Sequence, residues 1–310
     1  MKKNKLQYKI NKIVIFTLVL AIFSAFSATT AHAYVMSDTT LDQILKIFVE
    51  KEESVDVPIL MYHHLDGDAY MDTIVTPEIF ESHIKVLSDS GYTGVSFEEL
   101  IDYVENGIEL PEKPIVITFD DGYLSNYEFA YPILQKYKMK ATIFVIGTLV
   151  GKAAYFDADG EEYPIIPHFD YEQASEMTKS GLISIQSHSY DMHRYEEYEV
   201  MLGREYRHGV LPLETESEEE YILNFQNDFE LARAELELET DTKMTVYSYP
   251  HGEYTDLSEK LLQERGIKVT LTTKYGSNEI IKGNSDTLYL LKRYSINNIP
   301  PERLLEILGQ

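Results

Sequence analysis

The 310-residue sequence contains no cysteine and no tryptophan. The first absence excludes a disulfide scaffold, a thiolate metal site and a cysteine nucleophile. The second leaves aromatic stacking to 24 tyrosines and 13 phenylalanines. Basic residues are scarce, 27 against 52 acidic ones, for a formal net charge of −25. Such a surface repels nucleic acid and anionic membranes, because phosphate binding needs clustered Lys and Arg. What is present is a 44% apolar, 12% aromatic chain. That is enough to build a buried core, so global disorder is excluded.

The first 33 residues read as a segment apart. Residues 1–12 are basic, residues 13–28 form an apolar run of 16, and Ala31-His32-Ala33 fits a small-residue cleavage site. This is the layout of a secretory signal peptide. The alternative is a retained anchor, although the run falls short of the ~20 residues a spanning helix needs. Cleavage leaves 277 residues carrying 22 basic and 52 acidic side chains, a net of −30, with no stable membrane insertion. The expected organisation is a signal peptide over 1–33, a lead segment over 34–56 and one domain over 57–310.

Beyond the lead, apolar runs alternate with capped helical stretches. Residues 57–65, 92–96, 114–119, 141–146, 182–186, 244–249, 267–272 and 288–296 are short, rich in Val, Ile, Thr and Tyr, and bounded by turn residues, as strands are. Ser96 with Glu99 makes a capping box for a helix that Gly107 closes; Thr76-Pro77 opens another, stopped at Gly91. Ser217 with Glu220 opens the longest helix, to about Glu239. Asp256 starts one ending at Gly266, and residues 303–308 form a closing helix. Strands joined through single helices imply a parallel sheet. About seven to eight of them in ~250 residues point to a distorted (β/α) barrel; a doubly wound open sheet is the competing topology. The connections 148–170 and 189–216 are long enough to be functional loops.

The unusual polar residues sort by position. His63 and His64 end the first strand, and Asp120-Asp121-Gly122 follow the third. His188 follows the fifth, Tyr249-Pro250-His251-Gly252 end the sixth, and Arg293 lies late in the last. All are at carboxyl ends, the rim where such folds build active sites. Asp121, His188 and His193 offer one oxygen and two imidazole nitrogens, a set suited to a divalent first-row ion. The five-residue step from His188 to His193 needs a loop to converge, since on a helix it would separate them. Neighbouring strand side chains point apart, so one of the two aspartates can bind metal while the other stays free as a base. His64 is either a polar neighbour of the metal or faces away, and His83 reads as structural. Asp191 is a candidate to hold one imidazole. His168 and His208, in the long connections, are candidate sugar contacts, and the loop tyrosines are either stacking surfaces or packing. Asp157-Ala158-Asp159-Gly160-Glu161 lacks the terminal ligand spacing of a calcium loop and reads as a solvated acidic turn.

The segments VPILMYHHL, IVITFDDGY, SHSYDMH and YSYPHG resemble the polysaccharide deacetylases of carbohydrate esterase family 4, the NodB-homology fold. The resemblance covers roughly residues 57–300 and includes the specific TFDDG motif. The MYH opening and the histidine spacing are most similar to the poly-N-acetylglucosamine deacetylase branch, whose motifs are circularly permuted. The resemblance implies a secreted hydrolase that releases acetate from an N-acetylated polysaccharide, poly-N-acetylglucosamine or peptidoglycan. It implies Asp120 as general base, Asp121, His188 and His193 as metal ligands, and His63 as general acid. It places Tyr249, Pro250 and His251 where the family supplies an oxyanion donor. Zinc is the default ion, with nickel, cobalt or manganese as alternatives. The family's third-motif arginine and late Leu-x-His are absent, and Arg293 is the candidate replacement to orient Asp120. Rival readings are an O-acetyl polysaccharide esterase, an iron oxygenase with two histidines and one carboxylate, and an inactive carbohydrate-binding module. The iron reading leaves Asp120 unexplained, and the full set of base, ligands and acid argues against the module.

Overall fold

The computed structural model describes residues 53–309 apart from 157 and 158. The segment read as a signal peptide, most of the lead segment, and Asp157 and Ala158 of the acidic turn lie outside the described residues.

The strands of the main sheet are β1 (Ile59–Tyr62), β2 (Thr93–Gly94), β3 (Pro114–Phe119), β4 (Ala141–Val145), β5 (Ile183–Ser187), β6 (Val246–Ser248), β7 (Val269–Leu271) and β8 (Tyr294–Ser295). Their order is β7-β6-β5-β4-β3-β1-β8, with β2 beside β3, and every pairing is parallel. Leu291, just before β8, makes a parallel bridge with Leu271 of β7, so the two edges meet and the sheet curls into a distorted barrel. That is the α/β architecture expected.

The helices are α1 (Pro77–Asp89), α2 (Phe97–Asn106), α3 (Tyr131–Tyr137), α4 (Tyr171–Lys179), α5 (Glu218–Thr240), α6 (Asp256–Glu264) and α7 (Pro301–Ile307). Their starts follow from local chemistry. Thr76 accepts the Ile79 N–H, and Ser96–Glu99 and Ser217–Glu220 form reciprocal capping boxes that satisfy the free N–H groups of the first turn. The Asp170–Gln173 box opening α4 went unread in the sequence, as did α3, which continues from a π turn at Asn126–Ala130.

Several strands differ from their expected spans. Residues 57–65 divide into three pieces, and the first break falls at Pro58, which has no N–H to carry a ladder through. The first piece, Ser54–Val57, pairs antiparallel with Asn278–Ile281, so residues 54–56 of the lead segment belong to the fold. The stretch 288–296 is strand only at Tyr294–Ser295, because Asn284 caps a 3-10 turn over Ser285–Leu288. The connection 148–170 carries a hairpin (Ala154–Phe156 with Glu162–Pro164), and 189–216 a short helix, Glu196–Met201.

Alternation along each strand separates two apolar clusters. Leu60, Ile117, Phe119, Ile143 and Ile185 pack against Phe80 and Ile84 of α1, Leu134 of α3 and Met177 of α4. Ile59, Val116, Phe144, Val246 and Val269 face the barrel interior with Phe97 and Leu100 of α2. The interior parity continues upward through Thr118 to Asp120 and through Gln186 to His188.

Candidate active site

Asp120 follows β3 and is buried, 2% exposed, against a fully buried Arg293. Nη1 and Nη2 of Arg293 each donate to one carboxylate oxygen at 2.7 Å, a bidentate pair. Arg293 itself is held by Nε donating to the Thr272 carbonyl at 2.9 Å, and its guanidinium lies 6.0 Å from the Phe144 ring. Arg293 lies two residues beyond the Leu291–Leu271 bridge that joins the sheet edges.

Asp121 turns off the strand in the left-handed region, at φ 74, and Gly122 follows at φ 81. A Cβ on Gly122 would stand 2.9 Å from Val145 Cγ1, so this turn admits only glycine without displacement. The turn also alters the sequence expectation that the adjacent carboxylates point apart. Both face one imidazole: His188 Nε2 lies 3.8 Å from Asp120 Oδ2 and 3.6 Å from Asp121 Oδ1.

His188 Nδ1 donates to the Ser248 carbonyl at 2.8 Å, which fixes the tautomer and leaves the Nε2 lone pair facing the aspartates. His193 Nε2 reaches the same Asp121 oxygen at 3.5 Å. The loop between them turns at Ser189, φ 80. Asp191 does not hold an imidazole; its carboxylate is paired with Arg194, whose Nε donates to Oδ1 at 2.8 Å.

His63 follows β1, close enough for its charge to help hold both carboxylates ionised, and its carbonyl accepts Asn126 Nδ2 at 2.8 Å. His64 faces elsewhere, bonded through Nδ1 to Ser125 Oγ at 2.8 Å. His83 is buried between the Tyr62 hydroxyl and the Ile299 carbonyl. Of the expected oxyanion group, Tyr249 uses its backbone N–H on the Leu271 carbonyl at 3.0 Å. Its side chain is fully buried and donates to Glu259 at 2.8 Å, away from the rim, while Pro250 is also buried. His251 does reach the site, at φ 57, with its ring 4.5 Å from His193 and stacked 4.6 Å from His208. Gly209 permits that approach, since a Cβ there would lie 2.7 Å from the Pro250 carbonyl. His168 is buried, its ring 4.9 Å from Tyr123, so of the two loop histidines only His208 is exposed at the rim. The loop tyrosines mostly pack on one another, Tyr155 against Tyr198 at 4.3 Å.

Burial opposes ionisation of both aspartates, but the Arg293 guanidinium outweighs it at Asp120 and holds that carboxyl well below the usual carboxylate range. Asp121 is lowered chiefly by His193 and His63. Burial pushes His188 and His251 down to about 4, so both rings are neutral near pH 7. Neutral imidazole and carboxylate are the states that bind a cation. One ligand atom each from Asp121, His188 and His193 lies within 4.8 Å of the others. The buried Asp121 Oδ1 has no hydrogen-bond donor, although two Nε2 atoms lie within 3.6 Å of it. Acceptors gathered this way repel one another unless a cation sits among them, so the donor set fits a divalent ion with open positions.

Known proteins resemble the chain in sequence and in fold. Residues 107–270, more than half the chain, match the polysaccharide deacetylase family model. The YxkH protein of Bacillus subtilis is 31% identical over 251 residues, 81% of this chain and 75% of that protein. The poly-beta-1,6-N-acetyl-D-glucosamine N-deacetylase of Staphylococcus aureus is 29% identical over 60% of this chain, a match that spans 64% of the staphylococcal protein. Among solved structures, the Streptococcus pyogenes deacetylase PplD superposes with a TM-score of 0.62 at 26% identity, covering 82% of this chain and 99% of PplD. IcaB from Ammonifex degensii shares the fold, with a TM-score of 0.63 at 24% identity over 82% of this chain and 96% of IcaB. The chain belongs to the polysaccharide deacetylase family.

Proposed function

We propose that the chain is a secreted, metal-dependent enzyme removing N-acetyl groups from a polymer containing N-acetylglucosamine. The observation that carries this reading is one buried carboxylate clamped by Arg293 beside a second that shares its space with two imidazoles. The staphylococcal relative's named activity tilts the substrate towards poly-N-acetylglucosamine. Secretion is supported by the basic, apolar and small-residue order of the first 33 residues.

Asp121, His188 and His193 would hold the ion, with zinc the expected occupant. Such an ion, when bound, polarises an acyl oxygen and brings the pKa of a bound water down towards ~7. Asp120, ionised and oriented by Arg293, accepts the proton of the attacking water. An amine leaves readily only when protonated, and His63 is the group to supply that proton. The exposed rings of His251 and His208 stack on one another beside His193. Water and amide give acetate and a free amine, with one proton moving through Asp120 and one through His63.

Acetate release from poly-N-acetylglucosamine, chito-oligomers, peptidoglycan and acetylxylan tests the reading. Release from the N-acetylated polymers is the expected result. Release from acetylxylan alone would replace it with the O-acetyl esterase reading.

A further inference from the structure

We propose that Asp228, in the middle of α5, is a positioning residue for the metal ligands: its carboxylate holds the loop between His188 and His193 in the metal-binding shape before any ion arrives. Oδ2 accepts the Tyr190 N–H at 2.9 Å and Oδ1 accepts the Asp191 N–H at 2.7 Å. Two successive amides of the ligand loop therefore converge on one side chain 37 and 38 residues further along the chain. Asp228 is 8% exposed and sits on the buried stripe of Tyr221, Phe225, Phe229 and Ala232, where helical spacing calls for an apolar residue. A carboxylate is costly in that place unless its oxygens are satisfied, and the loop amides satisfy them.

The rest of the loop leaves work for Asp228 to do. Ser189 Oγ accepts the Met192 N–H at 3.1 Å, and the Tyr190 carbonyl accepts the Thr148 N–H at 2.9 Å. Tyr190 packs on the core beside Gly147 and Met192 is buried in it, but one flank of the loop borders a cavity of about 590 Å³ lined by Tyr190, Asp191, Arg194 and Asp228 among others. Loops ending in two ligands five residues apart have many shapes, and only some bring both Nε2 atoms to Asp121. The Gly147 N–H on the Ser189 carbonyl and Arg194 Nε on the Asp191 carbonyl hold the loop's carbonyls, and Asp228 adds the hold on its two middle amides.

The proposal rests on the reading of Asp121, His188 and His193 as ligands. Asp228→Asn keeps the shape of the side chain but presents an NH2 group to one of the two amides. Zinc and cobalt titrations of the full chain, with the cobalt visible spectrum, should show affinity lowered about 10–100-fold and an altered spectrum. Tyr221→Phe is the control, removing a buried hydrogen bond of the same helix, from its hydroxyl to the Val210 carbonyl at 2.8 Å. It should leave affinity and spectrum unchanged. Asp228→Asn binding within threefold of the unsubstituted chain, or an equal loss in Tyr221→Phe, overturns the proposal. Amide exchange on the metal-free unsubstituted chain tests it without a variant. Protected Tyr190 and Asp191 amides support it; amides that exchange freely until metal is added overturn it while leaving the ligand assignment standing. An unsubstituted chain that takes up neither ion removes the ligand assignment and the proposal together.

Discussion

At the amino ends of the strands, the turns after α1, α2, α4 and α6 carry Gly91, Gly107, Gly181 and Gly266 at φ 82, 70, 71 and 85, with open space where a side chain would project. At the carboxyl ends, Gly122 and Gly209 are walled by Val145 and the Pro250 carbonyl, and three residues that do carry side chains occupy the left-handed region. These are Asp121 (φ 74), Ser189 (φ 80) and His251 (φ 57). Each such non-glycine residue costs on the order of 1–3 kcal/mol. The amino ends also hold side-chain-bearing residues in that region, Lys138 (φ 55), Asp241 (φ 52) and Leu290 (φ 57), so strain is common to both ends; at the carboxyl ends it aims particular groups. Those groups are a proposed metal ligand, the pivot of the loop carrying the other two, and the histidine beside them. What separates the two ends is therefore the groups that the turns present and the walls around Gly122 and Gly209, not the presence of strain.

The comparison is broken most severely at the Asp120–Arg293 pair. Arg293→Met leaves a buried carboxylate without its partner and should destabilise the chain by about 3–5 kcal/mol in denaturant unfolding. A loss under 1 kcal/mol would show that the pair is not structurally coupled. Asp120→Asn should lower acetate release by about 10²–10⁴-fold while bound metal is retained; normal turnover would remove Asp120 from the base role. The two glycine classes separate next. Gly122→Ala should cost about 2–4 kcal/mol, a left-handed alanine plus an overpacked contact with Val145. Gly107→Ala, with no contact to make, should cost about 1–2 kcal/mol. Equal costs would dissolve the distinction between the two ends.

The smallest effect is a pH dependence. Asp120 has its folded pKa depressed, so its ionic contact adds stability above the ordinary carboxylate pKa of about 4 and loses it as pH falls towards the folded value. The stability gap between the unsubstituted chain and Asp120→Asn should accordingly narrow between pH 6 and pH 3. A constant gap would contradict the assignment of Asp120 as ionised in the fold.

Much of this was legible in the sequence because it is local. Thr76-Pro77, Ser96 with Glu99 and Ser217 with Glu220 are caps written within four residues, and each opens its helix where expected. Placement at the carboxyl ends was legible too, since it needs only strand boundaries and parallel order. What failed was side-chain direction wherever the backbone leaves regular geometry. Alternation misplaces Asp121 because φ 74 takes it off the strand, and it gives no warning that Tyr249 turns inward to Glu259. Contacts across the barrel seam were only half legible. Arg293 stood out as a lone late cation, but its grip on Asp120, 173 residues away, depends on how the sheet closes. Asp228 was missed although it carries a signal: an acid on the apolar stripe of α5.

Metal content and acetate release, measured on the same preparations of the unsubstituted chain and of His193→Ala, test the central claim most directly. The account predicts one divalent ion per unsubstituted chain and acetate released from N-acetylglucosamine oligomers, with both falling away in His193→Ala. Undiminished release from chain stripped of metal, or from a His193→Ala variant, would contradict it.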